Sequence, residues 1–347
     1  VIYDNAMPVG GGPGPGPARA IADTRGGRTF PKRSPHPGPA PGGDAHPRGT
    51  PMTPSRETAP EVLAARKPTD EEIDVFGLTH AGNVRSSNQD HFLICSLRRQ
   101  VQILRTSLPD GTRWPSAERL AFLAMVADGV GGSSQGEEAS RLAVEGITDY
   151  VTQSMKAYYT ADASAGQDFA QALEDAAMQV HARVVERAQA EPGGRNMATT
   201  LTLFLGMWPK AYLLQIGDSR CYLMRDGVLT QITRDQTMAQ ELVDQGVLTR
   251  ADAPRTRWAH VLSSAIGGHQ TAPVVTQFES VWNQVILLCS DGLTKHVSDE
   301  RIGERLRAMT SAKQVCEQLL ADALEDGGSD NVTILVGRAV EKPGTSP

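Results

Sequence analysis

The sequence predicts an α+β domain of mainly antiparallel β-sheets with helices packed on the outside. Short apolar runs rich in β-branched residues alternate with longer segments of helical periodicity. Strands both precede and follow the two longest helical segments, so the order differs from the regular alternation that gives a parallel sheet. A domain of about 270 residues can bury a sizeable core.

Each predicted strand is a short run of apolar and β-branched residues next to Gly, Asp, Asn or Ser. Each predicted helix carries an apolar stripe, such as Leu142, Ile147 and Val151, that we expect to face the core. We predict strands at Ile73–Leu78, His91–Cys95, Ala121–Ala127, Thr200–Met207, Ala211–Ile216, Cys221–Met224, Val285–Cys289 and Val332–Val336. We predict helices at Glu137–Ala157, Gln167–Ala190, Met238–Gln245, Asp299–Met309 and Ala312–Glu325.

The N-terminal segment has a different composition from the rest of the 347-residue chain. Residues 1–60 contain 13 of the 22 prolines and 11 glycines, without sustained hydrophobic periodicity. Such a segment buries too little apolar surface to offset its ordering entropy. We therefore expect a disordered arm at residues 1–70, serving as an inert tail or a docking peptide, then a domain at 71–341 and a short tail at 342–347.

Composition excludes several classes of protein. The net charge is -6, from 34 basic and 40 acidic residues, which disfavours a non-specific nucleic-acid binder. There is no secretory signal and no apolar run long enough to span a membrane, so we expect a cytoplasmic protein without a membrane partner. The four cysteines form no CxxC pair and are expected to be buried free thiols.

Five aspartates stand at the borders of predicted strands. Each neighbours small or turn-forming residues, as in Asp128-Gly129 and Gly217-Asp218. Because strand ends bring side chains together at the edge of a sheet, these carboxylates are candidates for one shared site. The five are Asp90, Asp128, Asp218, Asp291 and Asp330.

Carboxylates that converge raise one another's pKa values unless cations bind between them. Hard divalent ions such as Mg²⁺ and Mn²⁺ take oxygen ligands and keep several waters. A cluster of Asp without nearby His or Cys therefore favours Mg²⁺ or Mn²⁺ over Zn²⁺, and the carbonyl of Gly129 is a further candidate ligand. One Asp-Gly pair alone is equally well explained as a turn.

Arg85 lies five residues before Asp90. A guanidinium beside a metal cluster suits a phosphate, because its fork matches two phosphate oxygens. Alone, an arginine in a loop is more often a solvated surface charge, so this assignment depends on the aspartates.

Six motifs follow one another along residues 73–340. They are Arg85-x-x-Asn88-Gln89-Asp90, Val126-Ala127-Asp128-Gly129-Val130-Gly131-Gly132, Met197-Ala198-Thr199-Thr200, Ile216-Gly217-Asp218-Ser219-Arg220, Leu287-Leu288-Cys289-Ser290-Asp291-Gly292-Leu293 and Ser329-Asp330-Asn331-Val332-Thr333. In this order they resemble the metal-dependent serine/threonine phosphatases of the protein phosphatase 2C family. One motif is weak evidence, but six in register make the resemblance specific.

The resemblance implies a β-sandwich, in which two packed, mainly antiparallel sheets are flanked by helices on both outer faces. It also implies two bound ions, Mn²⁺ or Mg²⁺, and a third, weaker ion seen in bacterial members. Asp128 would bridge two ions, and Gly129 would offer its carbonyl. Asp291 and Asp330 would complete the ligand shell of one ion.

The remaining roles follow from the same resemblance. Asp90 would support the second ion largely through waters, and Asp218 would help to bind the third. A hydroxide bridging two divalent ions would attack the phosphorus of phosphoserine or phosphothreonine in a protein. Arg85 would hold the phosphate during this attack, so that Arg85 and Asp128 are the candidate catalytic residues.

Phosphorylated proteins are therefore the expected partners, with a serine/threonine kinase of the same bacterium as the implied source of substrate. Two alternatives stay open at this point. The same fold could serve as a non-catalytic phosphoprotein-binding module, and a small-molecule phosphate ester would need the same chemistry. The first alternative is disfavoured because none of the expected metal ligands is missing.

Some residues depart from the pattern of the family. Val130 stands where many eukaryotic members have a His proposed as the general acid, whereas bacterial members commonly have an apolar residue there. Gln89 replaces a commoner Glu. The segment from Asp235 to about His260 resembles the mobile flap beside the active site, and its variability affects the choice of substrate more than catalysis.

Overall fold

The computed structural model describes residues 66–99, 118–131, 133–153, 166–190 and 196–341. Residues 1–65 of the predicted arm and the predicted tail at 342–347 lie outside the described residues, so both stay predictions. Residues 66–70, which the sequence also assigned to the arm, contact the domain. Arg66 donates two hydrogen bonds to the carboxylate of Glu72, at 2.8 and 2.6 Å.

The described residues form twelve β-strands and six α-helices. The strands are β1 Ile73–His80, β2 His91–Arg99, β3 Glu118–Ala127, β4 Gly129–Val130, β5 Ala198–Thr199, β6 Leu201–Met207, β7 Lys210–Ile216, β8 Arg220–Arg225, β9 Val228–Gln231, β10 Val274–Glu279, β11 Val285–Cys289 and β12 Val332–Ala339. The helices are α1 Ser133–Gln153, α2 Gly166–Ala190, α3 Met238–Asp244, α4 Asp291–Thr294, α5 Asp299–Arg307 and α6 Ala312–Glu325. Strand β11 and helix α6 have the predicted bounds. The first predicted helix begins at Ser133 instead of Glu137, and its predicted last residues, 154–157, lie outside the described residues. The remaining predicted elements differ by a few residues at one or both ends.

The strands form two five-stranded sheets. The first sheet has the order β1-β12-β11-β8-β9, and the second has the order β10-β7-β6-β3-β2. All of the described pairings are antiparallel, including the short pair of β4 with β5. The prediction of mainly antiparallel sheets is therefore confirmed.

The two sheets pack face to face, and β3 shows how its sequence allows this. Successive side chains of a strand point to opposite faces of the sheet. Leu123 and Met125 belong to the core between the second sheet and its helices. Ala124 and Val126 instead join Leu335 of the first sheet in the core between the sheets. Because β3 is buried on both faces, its sequence is a continuous apolar run, and that run predicted the strand.

Helices cover both outer faces of the sandwich. Helices α1 and α2 pack on the second sheet, with Ile147 and Leu173 fully buried in that core. Helices α4, α5 and α6 pack on the first sheet, where Leu319 is buried against Ile334. The predicted α+β class, a β-sandwich flanked by helices on both sides, is thereby confirmed.

Several short elements were not predicted. Strands β9 and β10 lie at sheet edges, and their largely exposed residues form no apolar run. The two-residue strands β4 and β5 are too short to give a pattern. Helix α4 was not predicted either; it begins at Asp291, with Ser290 at its N-cap position. Asp291-Gly292 alone is equally well explained as a turn, and the Ser290 side chain makes no capping hydrogen bond to the helix.

The four cysteines are free thiols, as the sequence predicts, and three of them are buried. Cys95 is only partly buried. Among the described residues no helix has both the length and the apolar character that a membrane span requires.

Candidate metal centre

The registers of the sheets bring the five strand-border aspartates to one end of the sandwich. His91 pairs with Ala127, so Asp90 and Asp128 flank the last residue pair of β2 and β3. Ile216, the last residue of β7, pairs with Leu201, the first residue of β6. Asp218 therefore lies near the start of β6, where Asp128 also lies. Asp291 and Asp330 border β11 and β12, which are neighbours in the first sheet.

Asp90 is buried, with 4% of its surface exposed. Its Oδ2 accepts hydrogen bonds from the hydroxyls of Ser290 and Thr333, each at 2.7 Å. Its Oδ1 is also buried and has no hydrogen-bond partner in the part of the chain that the structure describes. Burial raises the pKa of Asp90 to about 6, with smaller contributions from Asp291 and Asp330, although the two hydroxyls oppose the shift. The unpartnered oxygen can therefore accept either a proton or a cation.

Asp128 is fixed through its backbone by two threonines. Its carbonyl accepts hydrogen bonds from the Thr200 amide at 2.9 Å and the Thr199 hydroxyl at 2.8 Å. Its amide donates to the Thr200 hydroxyl at 3.0 Å. Burial raises the pKa of Asp128 well above its ordinary value, and the negative charges of Asp90 and Asp291 add to the shift. Asp128 is thus rigidly placed among like charges.

Asp218 is connected to the same framework through its neighbour Ser219. The Ser219 hydroxyl lies 2.8 Å from the Thr200 hydroxyl, and the Ser219 carbonyl accepts a hydrogen bond from Thr202 at 2.7 Å. Burial, followed by the charge of Asp291, raises the pKa of Asp218 well above its ordinary value. Asp218 therefore belongs to the same electrostatic cluster as Asp128.

Two cations contact the carboxylates of Asp291 and Asp330. The Lys295 Nζ lies 2.6 Å from an oxygen of each carboxylate. Arg85 forms a two-pronged contact with Asp330, at 2.7 Å through Nε and 3.0 Å through an Nη. Burial opposes the ionised form of Asp330, but the hydrogen bonds from Lys295 and Arg85 outweigh it, so its pKa is lowered. These two carboxylates and two cations therefore form a charged network beside the buried aspartates.

The loop that carries Arg85 is held against β12 by Asn331. The Asn331 side chain accepts a hydrogen bond from the Gln89 amide at 2.9 Å and donates to the carbonyls of Ala81 and Ser87. Gly82 has a φ of +78°, and a Cβ there would lie 2.2 Å from the Asp330 carbonyl oxygen. Only glycine combines this backbone conformation with so close an approach.

The donor set fits hard divalent cations. Its five carboxylates include three whose pKa values are raised, and the buried Asp90 Oδ1 has no partner. Within the described ranges no three His, Cys, Asp or Glu side chains are placed to hold one metal ion by themselves. Mg²⁺ usually keeps several waters and uses only one or two carboxylates of the protein, so a site of this kind does not need a closed protein cage.

Gly129 lies in β4, where the backbone is tightly packed. A Cβ at this position would lie 2.2 Å from the Gly136 carbonyl oxygen. The neighbouring Val130 is 42% exposed. The carbonyl of Gly129 as a metal ligand stays a prediction.

Several residues of this site were not singled out from the sequence. Ser290 and Thr333 adjoin predicted aspartates, but only the antiparallel pairing of β11 with β12 brings both hydroxyls to Asp90. Asn331 belongs to the last of the six motifs, but no role was predicted for it. Lys295 follows Asp291 by four residues, which is the spacing of one helical turn, and recognising α4 would have indicated their contact.

The predicted flap approaches the centre through His260. The Nδ1 of His260 lies 4.0 Å from an oxygen of Asp291. The segment includes α3 and a 3₁₀ turn at Ala253–Arg255, and Thr237 caps α3 by accepting a hydrogen bond from the Gln240 amide. At its start, Asp235 forms an ion pair with Arg220 at 2.7 Å.

Comparison with known proteins gives one consistent result. The family model described as Protein phosphatase 2C matches residues 106–326. The serine/threonine protein phosphatase PstP of Mycobacterium tuberculosis is 37% identical over 221 residues, which are 64% of this chain and 41% of PstP. The serine/threonine phosphatase stp of Listeria monocytogenes is 30% identical over 217 residues, 62% of this chain and 83% of that protein. The chain thus spans less than half the length of PstP.

Solved structures agree with these sequence matches. The crystal structure of M. tuberculosis PstP/Ppp superposes with a TM-score of 0.62 at 32% identity, and the match covers 78% of this chain and 99% of that one. The catalytic domain of PstP in complex with two manganese ions gives a TM-score of 0.60 at 32% identity, with the same coverage.

Proposed function

This chain belongs to the protein phosphatase 2C family, and on that premise we propose that it hydrolyses phosphoserine and phosphothreonine in proteins. The observation that carries the proposal is the buried Oδ1 of Asp90, which has no partner at the end of the sandwich where the aspartates meet. An acceptor left unsatisfied in a buried position is costly. A metal ion and its waters would satisfy it.

The proposed ligands are the five aspartates and the backbone carbonyl of Gly129. Asp128 and the Gly129 carbonyl would occupy a position shared between ions. Asp291 and Asp330 would hold one ion, Asp90 the second and Asp218 a weaker third. Mn²⁺ or Mg²⁺ suits them because all are oxygen donors. The PstP catalytic domain, 32% identical, was solved with two manganese ions, which supports two ions here.

When bound, such ions supply Lewis acidity and an activated water for attack on phosphorus. The side chains of this protein position the substrate. Arg85 is 53% exposed, so its guanidinium can release Asp330 and bind two phosphoryl oxygens. Thr199 and Thr200 keep Asp128 in place through its backbone. Ser290 and Thr333 orient Asp90 through its Oδ2 and leave its Oδ1 available for a cation.

We further propose that the substrates are products of a serine/threonine kinase in the same cell and that the protein acts in the cytoplasm. The named relatives PstP and stp are serine/threonine phosphatases, which supports phosphorylated proteins as substrates. The free cysteines suit a reducing compartment.

The test is release of inorganic phosphate by the full chain from a phosphothreonine peptide, compared with a small phosphate ester. We expect turnover with Mn²⁺ or Mg²⁺, none with excess EDTA, and preference for the peptide. Metal binding with no hydrolysis of any phosphopeptide would contradict the proposal and favour the binding-module alternative. Preference for the small ester would contradict the proposed substrate class.

A further inference from the structure

Lys295 occupies the space between two carboxylates that the proposed function assigns to one ion. Its Nζ lies 2.6 Å from Asp291 Oδ2 and 2.6 Å from Asp330 Oδ2. The side chain is 21% exposed, and those of Asp291 and Asp330 are 15% and 18% exposed. A charge-assisted pair with so little exposure is screened less by salt than a surface ion pair.

The fold fixes this contact from both sides. Asp291 is the first residue of α4, and one helical turn places Lys295 next to it. Asp330 lies two residues before the start of β12, and Gly292 allows α4 to approach this point closely. A Cβ at Gly292 would lie 1.9 Å from the Asn331 carbonyl oxygen. The position of Lys295 is therefore set by backbone packing and not only by the flexible side chain.

The charges in the cluster are unevenly balanced. Asp330 is paired with both Lys295 and Arg85, and Asp291 is paired with Lys295. Lys295 contacts Oδ2 of both carboxylates, and Arg85 contacts both oxygens of Asp330. A divalent ion bound between the two carboxylates would share these oxygens with the ammonium or meet it as a like charge, so the ammonium and the ion oppose each other at these two residues.

We propose that Lys295 is a tethered cation that competes with one divalent metal ion for Asp291 and Asp330, and so sets the metal affinity of the site. The inference rests on the proposed function, because it assumes that these aspartates bind an ion. In the metal-free protein Lys295 compensates the two carboxylates. In the metal-bound protein it is released toward solvent.

The proposal predicts opposite effects on two properties when the charge is removed. Lys295→Met should lower the melting temperature in EDTA, because Asp291 loses its partner and Asp330 one of two. The same substitution should tighten Mn²⁺ binding by about tenfold, within the range usual for coupled binding equilibria. A lysine that merely supports the fold would weaken both properties together.

The experiment is calorimetric titration of the full chain with Mn²⁺, together with thermal unfolding in EDTA and in Mn²⁺. The matched control is Lys313→Met, an exposed lysine on α6 whose pair with Glu317 spans 3.8 Å, and it should change neither property. Lys295→Arg retains the positive charge, so its Mn²⁺ affinity should stay within about twofold of the wild type.

Suppose that the wild type binds Mn²⁺ and hydrolyses the phosphopeptide. Unchanged or weaker Mn²⁺ binding by Lys295→Met would then overturn this inference alone. Equal tightening by Lys295→Arg and Lys295→Met would also overturn it, since the competition depends on charge. A wild type that binds no Mn²⁺ would overturn both the inference and the proposed function.

Discussion

The hydroxyl of Ser290 donates a hydrogen bond of 2.7 Å to Asp90, a residue 200 positions earlier in the chain. Ser290 follows β11 of the first sheet, and Asp90 precedes β2 of the second. The bond therefore connects the two sheets at the end where the acidic residues meet. It also orients the carboxylate of Asp90, whose second oxygen is buried and has no hydrogen-bond partner among the described residues.

Loss of this bond should weaken both the fold and the site. Ser290→Ala removes the donor to Asp90 and the acceptor of the Thr333 amide at 2.9 Å. We expect the free energy of unfolding in EDTA to fall by about 2 kcal/mol, because buried polar groups lose their partners. Urea denaturation measures the change. Thr152→Ala, at an exposed hydroxyl on α1, should change it by less than about 0.5 kcal/mol, and an equal loss in both variants would refute the assignment.

Protonation of Asp90 should control metal-free stability between pH 4 and 7. Burial raises its pKa to about 6, so the native state binds the proton more tightly than the unfolded state does. The stabilising contribution is complete below the unfolded pKa of about 4 and is lost as the pH rises through about 6.

Asp90→Asn isolates this contribution because it removes only the ionisable group. The unfolding free energy of the wild type, relative to the variant, should fall by about 3 kcal/mol from pH 4 to pH 7 in EDTA. Denaturation curves at several pH values give this difference. A difference that is independent of pH would show that Asp90 titrates normally.

Arg85 should affect substrate binding with little effect on folding. Arg85→Lys keeps the charge but loses the fork that matches two phosphoryl oxygens. We expect kcat/KM for a phosphothreonine peptide to fall by about 10- to 100-fold, the loss typical of hydrogen bonds to a charged group. Arg183→Lys, whose side chain is 52% exposed and 3.9 Å from Asp149, is the control. Unchanged kcat/KM in Arg85→Lys would make Arg85 a surface charge.

Substitution of Gly82 and of Gly227 distinguishes the energetic cost of backbone strain from that of close packing. Both have a φ of +78°, but a Cβ at Gly82 would lie 2.2 Å from the Asp330 carbonyl, whereas one at Gly227 would meet nothing within 4 Å. Gly227→Ala should cost about 1 kcal/mol for the left-handed conformation. Gly82→Ala should cost about 3 kcal/mol, because the loop must also move. Equal losses in thermal or urea unfolding would mean that the contact with Asp330 is unimportant.

Strands and helices with a clear local sequence pattern could be predicted from the sequence. Elements that depend on pairing with a distant strand could not. The run Val285–Cys289 is apolar at every position, so its strand was predicted with the observed bounds. The aspartates border such runs, on one side or the other, and were found with them. Strand β10, at the edge of its sheet, has no apolar run because most of its side chains are exposed.

The contacts within the site needed tertiary structure. Asn331 holds the loop before Asp90 from more than 240 positions away, and no local pattern indicates such a contact. Lys295 was missed because helix α4, with four residues, is too short to give a helical pattern in the sequence. A helix that starts at Asp291 makes the contact four residues later a simple consequence of helical geometry.

The most direct test of the account compares phosphate release from a phosphothreonine peptide by the wild type, Asp128→Asn and Asp149→Asn, with Mn²⁺ and with EDTA. Asp149 is the matched control, an aspartate on α1 that is 63% exposed. Substituting residues that only orient metal ligands costs about 10- to 100-fold, so a lost ligand should cost at least about 100-fold. We expect metal-dependent turnover in the wild type and Asp149→Asn, and a loss of at least that size in Asp128→Asn. Comparable turnover in all three proteins, or turnover that persists in EDTA, would contradict a metal-dependent phosphatase centred on Asp128.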